Sequence, residues 1–139
     1  METEEIIHKL ESRKIKPTAN RILVLRTLAH SNHPVSIADL EDKIVTLDKS
    51  SIFRALTLFL EHDLVHAIED GSGSLKYEMC LGEHKHSLHD QHVHFYCEVC
   101  NKTYCIDNVP VPIVDLPDGF LPHTINYIVK GVCAKCRNK

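Results

Sequence analysis

Two pairs of cysteines have the spacing that most directly indicates chemistry in this sequence. Cys97 and Cys100 form one C-x-x-C motif, and Cys133 and Cys136 form a second. Each motif turns the chain so that two thiolates converge on one ion, and two motifs complete a tetrahedral shell of four sulfur ligands. Since such a shell has no open coordination position, the spacing predicts one structural Zn²⁺ per chain without a catalytic role. The alternative is a set of free or redox-active thiols.

A second set of potential ligands surrounds the first motif. Residues two positions apart on a β-strand share a face, so Glu78 pairs with Cys80, and His92 pairs with His94. Two such pairs that face each other would hold a second ion near the junction of the two halves of the chain. The His-rich loop 82–91 favours solvated side chains, and its role stays open. Further candidate ligands stand elsewhere in the sequence: His33, His66 and Cys105.

The composition limits the class of protein that these ligands can serve. The chain has 139 residues, of which 43% are apolar and 25% are charged, as in ordinary globular proteins. Its acidic N-terminus is unlike a signal peptide, and no apolar run approaches the length of a membrane span. We therefore expect a cytoplasmic protein without a membrane partner, in a reducing compartment where C-x-x-C motifs bind metal. The formal charge of −3 argues against a globally basic nucleic-acid binder but allows local basic patches.

The N-terminal half contains the elements that must position the ligands. Apolar residues at helical spacing predict four short amphipathic helices, the first of which ends before Pro17. Thr18, Ser36 and Asp48 are the predicted N-caps of the next three helices, and Ser36 with Asp39 resembles a capping box. The apolar stripes predicted to face the core are Ile6, Ile7 and Leu10; Ile22, Leu25, Leu28 and Ala29; Ile37, Leu40 and Ile44; and Ile52, Leu56, Phe59 and Leu60.

Two β-like runs follow the helices. The segment "LVHAIEDGSGSLKYEMC" places them on either side of Gly71, Ser72 and Gly73, which is typical of a hairpin. Short helices followed by a two-stranded wing describe a winged helix-turn-helix, a DNA-binding shape, which we assign to residues 1–80. The alternative is a small helical domain with a hairpin and no nucleic-acid partner.

Residues 81–139 have a different character and form a second predicted domain. They are rich in His, Cys and β-branched residues, and four prolines between residues 110 and 122 exclude a long helix there. The strand-like segments "HFYCEVC", "KTYCI" and "TINYIVKGVC" predict a small, mostly antiparallel sheet with one short helix or turn.

Several of these motifs together resemble the ferric uptake regulator family of metal-dependent bacterial repressors. "HVHFYCEVCNKTYC" followed by "IVKGVCAKC" resembles its metal-binding half, and "HPVSIADL" with "DKSSIFRALTLFLEHDLV" resembles its helix-turn-helix. "KPTANRILVL" is similar to the entry of its second helix, and the resemblance runs from about residue 6 to residue 136. It implies an α+β fold in which an N-terminal winged helix-turn-helix precedes a small α/β dimerisation domain with a four-cysteine zinc site. It also implies a homodimer on a palindromic operator in double-stranded DNA.

The resemblance extends to individual metal ligands. Cys97, Cys100, Cys133 and Cys136 match the structural zinc ligands of the family. The predicted sensory ligands that match family positions are His92 and His94 of the H-x-H motif, Glu78 on the second strand of the wing, and His33, a histidine of the DNA-binding domain that closes the sensory site.

The resemblance also implies DNA contacts. Ile52, Phe53 and Arg54 fall where recognition helices of the family carry "VYR", so the hydroxyl of the tyrosine is missing at Phe53. Lys16 and Arg21 match basic residues that approach the DNA backbone or minor groove. Ser50 and Ser51, in the same "DKSSIFR" motif, complete the predicted DNA-binding set.

Departures from the family pattern bear on the sensed metal. Cys105 stands where many members have Asp or Glu, and Cys80 and His66 stand at ligand positions of zinc-sensing relatives. Soft thiolates favour zinc over ferrous iron. The sequence therefore predicts a zinc-responsive repressor of metal-uptake genes, with a second, regulatory divalent metal for which Zn²⁺ is favoured and Fe²⁺ is the alternative.

Other functions remain as alternatives to this prediction. An iron- or peroxide-responsive regulator of the same family would use the same scaffold, and a zinc-binding metal buffer or chaperone would use the His-rich loop. A zinc hydrolase or deaminase would need an open coordination position and a general acid-base carboxylate, and the H-x-E with P-C-x-x-C signature of deaminases is absent. We therefore predict that the protein is not an enzyme.

Overall fold

The structure is a computed structural model that describes residues 2–79, 93–106, 109–123 and 125–138. Cys80, His92 and the His-rich loop 82–91 lie outside the described residues, so the predictions made for them stay predictions. Within the described ranges, no helix is long and apolar enough to cross a membrane.

Four helices form the N-terminal half, and the structure confirms their predicted caps. The Ser36 side chain accepts a hydrogen bond from the Asp39 amide at 3.1 Å, and the Asp39 carboxylate accepts one from the Ser36 amide at 3.0 Å. Thr18 and Asp48 each accept a bond from the amide three residues later. These bonds satisfy amides that have no partner inside the helix. The helices are α1 (Thr3–Ser12), α2 (Ala19–Ala29), α3 (Ile37–Lys43) and α4 (Lys49–Glu61).

One hydrophobic core joins the helices to the hairpin. Each helix contributes side chains at helical spacing, and Phe59 of α4 is fully buried at the centre. The predicted stripes are confirmed for most members, whereas Ile7, Ile22, Ala29, Ile37 and Leu60 are only partly buried. The hairpin closes this core with Leu64, Val65, Tyr77 and Met79.

The hairpin consists of β1 (Val65–Glu69) and β2 (Leu75–Met79), which pair antiparallel. Gly71 and Gly73 have φ values of 82° and 91°, a conformation that side-chain-bearing residues rarely adopt, so the turn needs glycine at both positions. Val35, just before α3, exchanges two backbone hydrogen bonds with Tyr77 at 3.1 and 2.7 Å. This rung fixes the start of the helix-turn-helix on β2.

The C-terminal half contains a three-stranded sheet of β3 (Val93–Cys97), β4 (Thr103–Ile106) and β5 (Tyr127–Gly131), in the order β4-β3-β5. β3 and β4 pair antiparallel, but β3 and β5 pair parallel. The expectation of a mostly antiparallel sheet is therefore wrong for one of these pairings. A parallel pairing requires a long crossover, which the Pro-rich segment after β4 supplies. The short helix α5 (Ala134–Arg137) follows β5.

Candidate metal centres and nucleic-acid interface

The two C-x-x-C motifs converge at one end of the C-terminal sheet. Cys97 ends β3, Cys100 lies in the turn after it, and Cys133 and Cys136 lie at the start of α5 and within it. The four sulfur atoms all lie within 4.8 Å of one another, with 3.9 Å between those of Cys100 and Cys133. This four-cysteine cluster is the all-sulfur set that suits a tetrahedral zinc ion.

Local hydrogen bonds prepare the cluster for a cation. The amide of Cys100 and then that of Cys133 donate to the Cys97 sulfur, each at 3.4 Å, and they lower the pKa of Cys97 to about 6. The Tyr104 hydroxyl lowers the pKa of Cys133 by donating a hydrogen bond to it. The pKa of Cys136 is raised to about 12, first through its hydrogen bond with Cys133. The lowered pKa values favour the thiolate form of Cys97 and Cys133, which is the form that binds metal. The raised pKa of Cys136 means that this thiol loses its proton when a cation binds.

A second cluster lies where the hairpin meets the C-terminal sheet. Its members come as cross-strand pairs: His66 stands opposite Glu78 in the hairpin, and His94 stands opposite Cys105 in the sheet. One carboxylate oxygen, Glu78 Oε2, lies 2.9 Å from His66 Nε2 and 3.1 Å from His94 Nε2. The ligand atoms of the two histidines and Glu78 lie within 4.8 Å of one another. We call these four residues the junction cluster.

Glu78 is held as a carboxylate at this junction. Burial by itself would raise its pKa, but hydrogen bonds from His66, His94 and the Cys105 thiol hold the pKa well below its usual range. His94 is also deeply placed, with only 4% of its surface exposed. An ionised carboxylate between two imidazoles offers O and N ligands to one divalent ion, and the Cys105 thiol, which is outside this set but hydrogen-bonds to the carboxylate, stays a candidate S ligand.

His33, another predicted sensory ligand, is not part of the junction cluster. His33 packs edge-on against the ring of Tyr104, with 4.9 Å between ring centres. Together with Glu78 it lines a cavity of about 230 Å³, but it is not among the residues whose ligand atoms lie within 4.8 Å. Burial and then the charges of Lys102, Lys135 and Lys43 lower the pKa of His33, which keeps its imidazole neutral and able to bind metal. Its role as a ligand stays a prediction.

The predicted DNA-binding residues lie at the start of α4 and around the start of α2. Phe53 is 54% exposed, although the opposite face of α4 belongs to the core. Arg54 is exposed and its Nη2 donates to Ser51 Oγ at 3.3 Å, and Ser50 is exposed beside it. The Arg21 guanidinium donates to the carbonyl of Lys16 at 3.0 Å, so these two basic residues lie together.

The second helix of a helix-turn-helix is exposed at its start, and a wing follows it. A sheet with two clusters of potential metal ligands comes next. Together these features define a metal-responsive DNA-binding repressor. Residues 12–113 match the model of the ferric uptake regulator family, and the chain belongs to this family of transcription regulators.

Two similar proteins are named for different regulatory roles, one for ferric uptake and one for a peroxide operon. The ferric uptake regulation protein of Campylobacter jejuni is 25% identical over 138 residues, which covers 90% of this chain and 82% of that protein. The peroxide operon regulator of Bacillus subtilis is 24% identical over 149 residues, covering 99% of this chain and 95% of that protein.

Solved structures show the same fold. A zinc uptake regulator complexed with zinc and DNA superposes with a TM-score of 0.68 at 19% identity, covering 99% of this chain and 97% of that one. The structure of holo XcZur gives a TM-score of 0.67 at 21% identity with the same coverage. The Helicobacter pylori ferric uptake regulator gives a TM-score of 0.61 at 18% identity, covering 99% and 95%. At these identities the likeness establishes the fold but does not identify the sensed metal, which depends on the ligand residues of this chain.

Proposed function

We propose that this protein is a zinc-responsive transcriptional repressor that controls metal-uptake genes from the cytoplasm. The observation that carries the proposal is the junction cluster, in which the ligand atoms of His66, Glu78 and His94 lie within 4.8 Å of one another and the Cys105 thiol hydrogen-bonds to Glu78. A thiol in this position favours zinc over ferrous iron, which accepts shells of oxygen and nitrogen ligands. A zinc uptake regulator complexed with zinc and DNA has the same fold, which is compatible with this reading.

Two metal sites per chain have separate tasks in this proposal. The four-cysteine cluster holds a structural Zn²⁺, since all of its positions are filled by protein ligands. The junction cluster is the sensory site, for which His33, Cys80 and His92 remain candidate ligands. A tetrahedral ion uses four ligands, so some of these residues bind the metal and others orient the ligands.

In this proposal, the position of the junction cluster couples metal binding to DNA binding. His66 and Glu78 belong to the winged-helix domain of residues 1–80, and His94 and Cys105 belong to the domain of residues 81–139. A ligand shell made of both domains is complete in only one arrangement of the two. The difference in metal affinity between this arrangement and others shifts the population toward the DNA-binding form.

DNA binding requires two copies of the winged helix at a fixed spacing. The segment after β4 carries six large apolar side chains that are at least 44% exposed in one chain, and a patch of this kind supports homodimerisation. Each copy would then present Ser50, Ser51, Phe53 and Arg54 to one half of a palindromic operator, with Lys16 and Arg21 on the backbone. The six apolar residues are Val109, Ile113, Val114, Leu116, Phe120 and Leu121.

The test is operator binding against a panel of metals at controlled free concentration. Zinc is expected to activate DNA binding of the parent at lower free concentration than ferrous iron. Cys105→Asp should move the preference toward iron, while the zinc content of the four-cysteine cluster stays constant. If Cys105→Asp responds to zinc like the parent and iron activates the parent first, the protein is an iron regulator, as its Campylobacter jejuni relative is by name. If no metal produces sequence-specific DNA binding, the protein is a metal buffer and not a repressor.

A further inference from the structure

A buried charge pair lies beside the junction cluster and is not part of either metal site. Lys76 Nζ lies 2.8 Å from Asp70 Oδ2, and the two side chains are 9% and 0% exposed. Burial by itself would raise the pKa of Asp70, but hydrogen bonds from Lys76, Ser72 and Thr103 hold it well below its usual range. Asp70 is therefore ionised, and the hairpin turn contains an ion pair with little access to water.

The third partner of this pair comes from the other domain. The hydroxyl of Thr103, at the start of β4, donates to Asp70 Oδ2, and Lys76 Nζ lies 3.5 Å from the same hydroxyl. Lys76 Nζ also stands 5.5 Å above the ring of Tyr96 on β3. Thr103 is 1% exposed, so its hydrogen bond to an ionised carboxylate is made away from solvent.

β5 contacts the same turn. The Asn126 side chain donates to the carbonyl of Glu69 at 2.6 Å. The side chain of Lys130 lies so close over Gly71 that a Cβ on this glycine would clash with Lys130 Nζ. Residues from β3, β4 and β5, or next to them, thus contact either the turn of the hairpin or the adjoining Lys76 of β2.

We propose that Asp70, Lys76 and Thr103 form a turn clamp, which docks the hairpin on the C-terminal sheet without metal and thereby sets the spacing of the junction cluster. The strand positions carry this inference. Lys76 is two residues before Glu78 on β2, and Thr103 is two residues before Cys105 on β4, so these two clamp residues each share a strand face with a candidate ligand. The three clamp residues are positioning residues for the ligands of the junction cluster. The turn of the wing contacts the C-terminal sheet through Thr103 and Lys130.

The clamp gives metal binding a lower ordering cost. Strands that are already docked present their ligands together, so less freedom is lost when the ion binds. This role rests on the proposed sensory function of the junction cluster, but the docking itself does not. Removing either charge would leave its partner buried and unpaired, which strongly destabilises proteins. Thr103→Val is the better probe, because it keeps the shape and the ion pair and removes only the hydroxyl.

The experiment uses the full chain with zinc in the four-cysteine cluster and Co²⁺ as the probe of the junction cluster. Thr103→Val should bind this Co²⁺ about tenfold more weakly than the parent, because a hydrogen bond to a charged group is lost. Thr27→Val is the matched control, since it removes a hydroxyl that donates to the Leu23 carbonyl at 2.8 Å within α2. The control should keep the parental affinity even if it loses as much thermal stability.

Amide hydrogen exchange before Co²⁺ addition tests the clamp independently of sensing. Thr103→Val should accelerate exchange in residues 70–76, and Thr27→Val should not. Unchanged exchange in Thr103→Val would overturn the clamp, whatever the metal affinity. Faster exchange with parental Co²⁺ affinity would overturn its positioning role. A parent that binds no Co²⁺ beyond the four-cysteine cluster would contradict the proposed function and with it the positioning role.

Discussion

At the scale of single residues, Glu78 is the side chain that joins the hairpin to the C-terminal sheet. Its Oε2 contacts one histidine from the hairpin and one from the C-terminal sheet. A carboxylate in this place would neutralise a bound cation, and its contacts with both imidazoles orient them before binding. Few substitutions keep both properties, since an amide has the same shape but no charge.

We therefore expect Glu78→Gln to weaken zinc binding at the junction cluster by at least about tenfold, because a charged ligand or ligand partner is lost. Glu69→Gln is a suitable control, as its exposed side chain lies on β1 of the same hairpin. Competition with a chromophoric chelator, with the four-cysteine cluster loaded, gives both affinities. Equal affinities in the two variants would exclude Glu78 from the site.

Cys97 is the central residue of the other cluster, since two backbone amides point at its sulfur. Cys97→Ser should abolish tight zinc binding there and lower the melting temperature, because metal-binding energy at such a site is folding energy. Cys105→Ser, a substitution of the same kind outside the four-cysteine cluster, should keep that zinc. Metal analysis and thermal denaturation are the measurements, and a Cys97→Ser protein with full zinc and parental melting temperature contradicts the structural assignment.

At the scale of elements, local signals could be predicted from the sequence and long-range pairings could not. Helix caps such as Ser36 depend on neighbours within three residues, so the sequence contains all that decides them. The hairpin register was also readable: a turn centred on Ser72 places His66 opposite Glu78. We predicted ligand pairs along strands and missed this cross-strand pair. The parallel pairing of β3 with β5 depends on a crossover whose path has no local signature.

The Ser36 cap can be tested as an element of stability. Ser36→Ala should lower the free energy of unfolding by about 1 kcal/mol, because the amide at the start of α3 loses its acceptor. Ser74→Ala, at an exposed position in the hairpin turn, should leave stability nearly unchanged. Denaturant unfolding of the zinc-loaded proteins compares the two. A loss of the same size in both variants would show that the cap has no specific contribution.

At the scale of the whole molecule, a chain of net charge −3 must concentrate its positive charge to bind DNA. We propose that Arg54 and Arg21 serve this purpose in different ways, Arg54 from α4 and Arg21 from the first turn of α2. We expect Arg54→Ala to weaken operator binding more than binding to unrelated DNA. Arg21→Ala should weaken all sequences alike and reduce the slope of affinity against salt by about one unit.

Titration of operator and unrelated duplexes across salt concentrations distinguishes these outcomes. Arg26→Ala is the control on the same helix as Arg21, because its guanidinium donates to Thr3 on α1 at 3.2 Å. Parental affinity in both Arg54→Ala and Arg21→Ala would remove the helix-turn-helix from the DNA interface.

A second prediction at this scale concerns dimerisation through the exposed apolar segment after β4. Leu121 is 78% exposed in the single chain, and Leu121→Asp should shift the protein from dimer to monomer, since a charge would be buried in the interface. Val45→Asp, at a 90% exposed valine of the DNA-binding half, should remain dimeric. Sedimentation equilibrium measures both. A dimeric Leu121→Asp protein with parental dissociation constant would place the interface elsewhere.

The backbone rung between Val35 and Tyr77 has a consequence for how such regulators diversify. It connects the strand of Glu78 to the residue just before α3 through main-chain atoms alone. Replacements other than proline keep the backbone donors and acceptors of these bonds, whereas replacements readily change the ligands on either side. A lineage can therefore exchange one sensed ion for another by substituting a few ligand side chains, and the mechanical route to the operator is inherited unchanged.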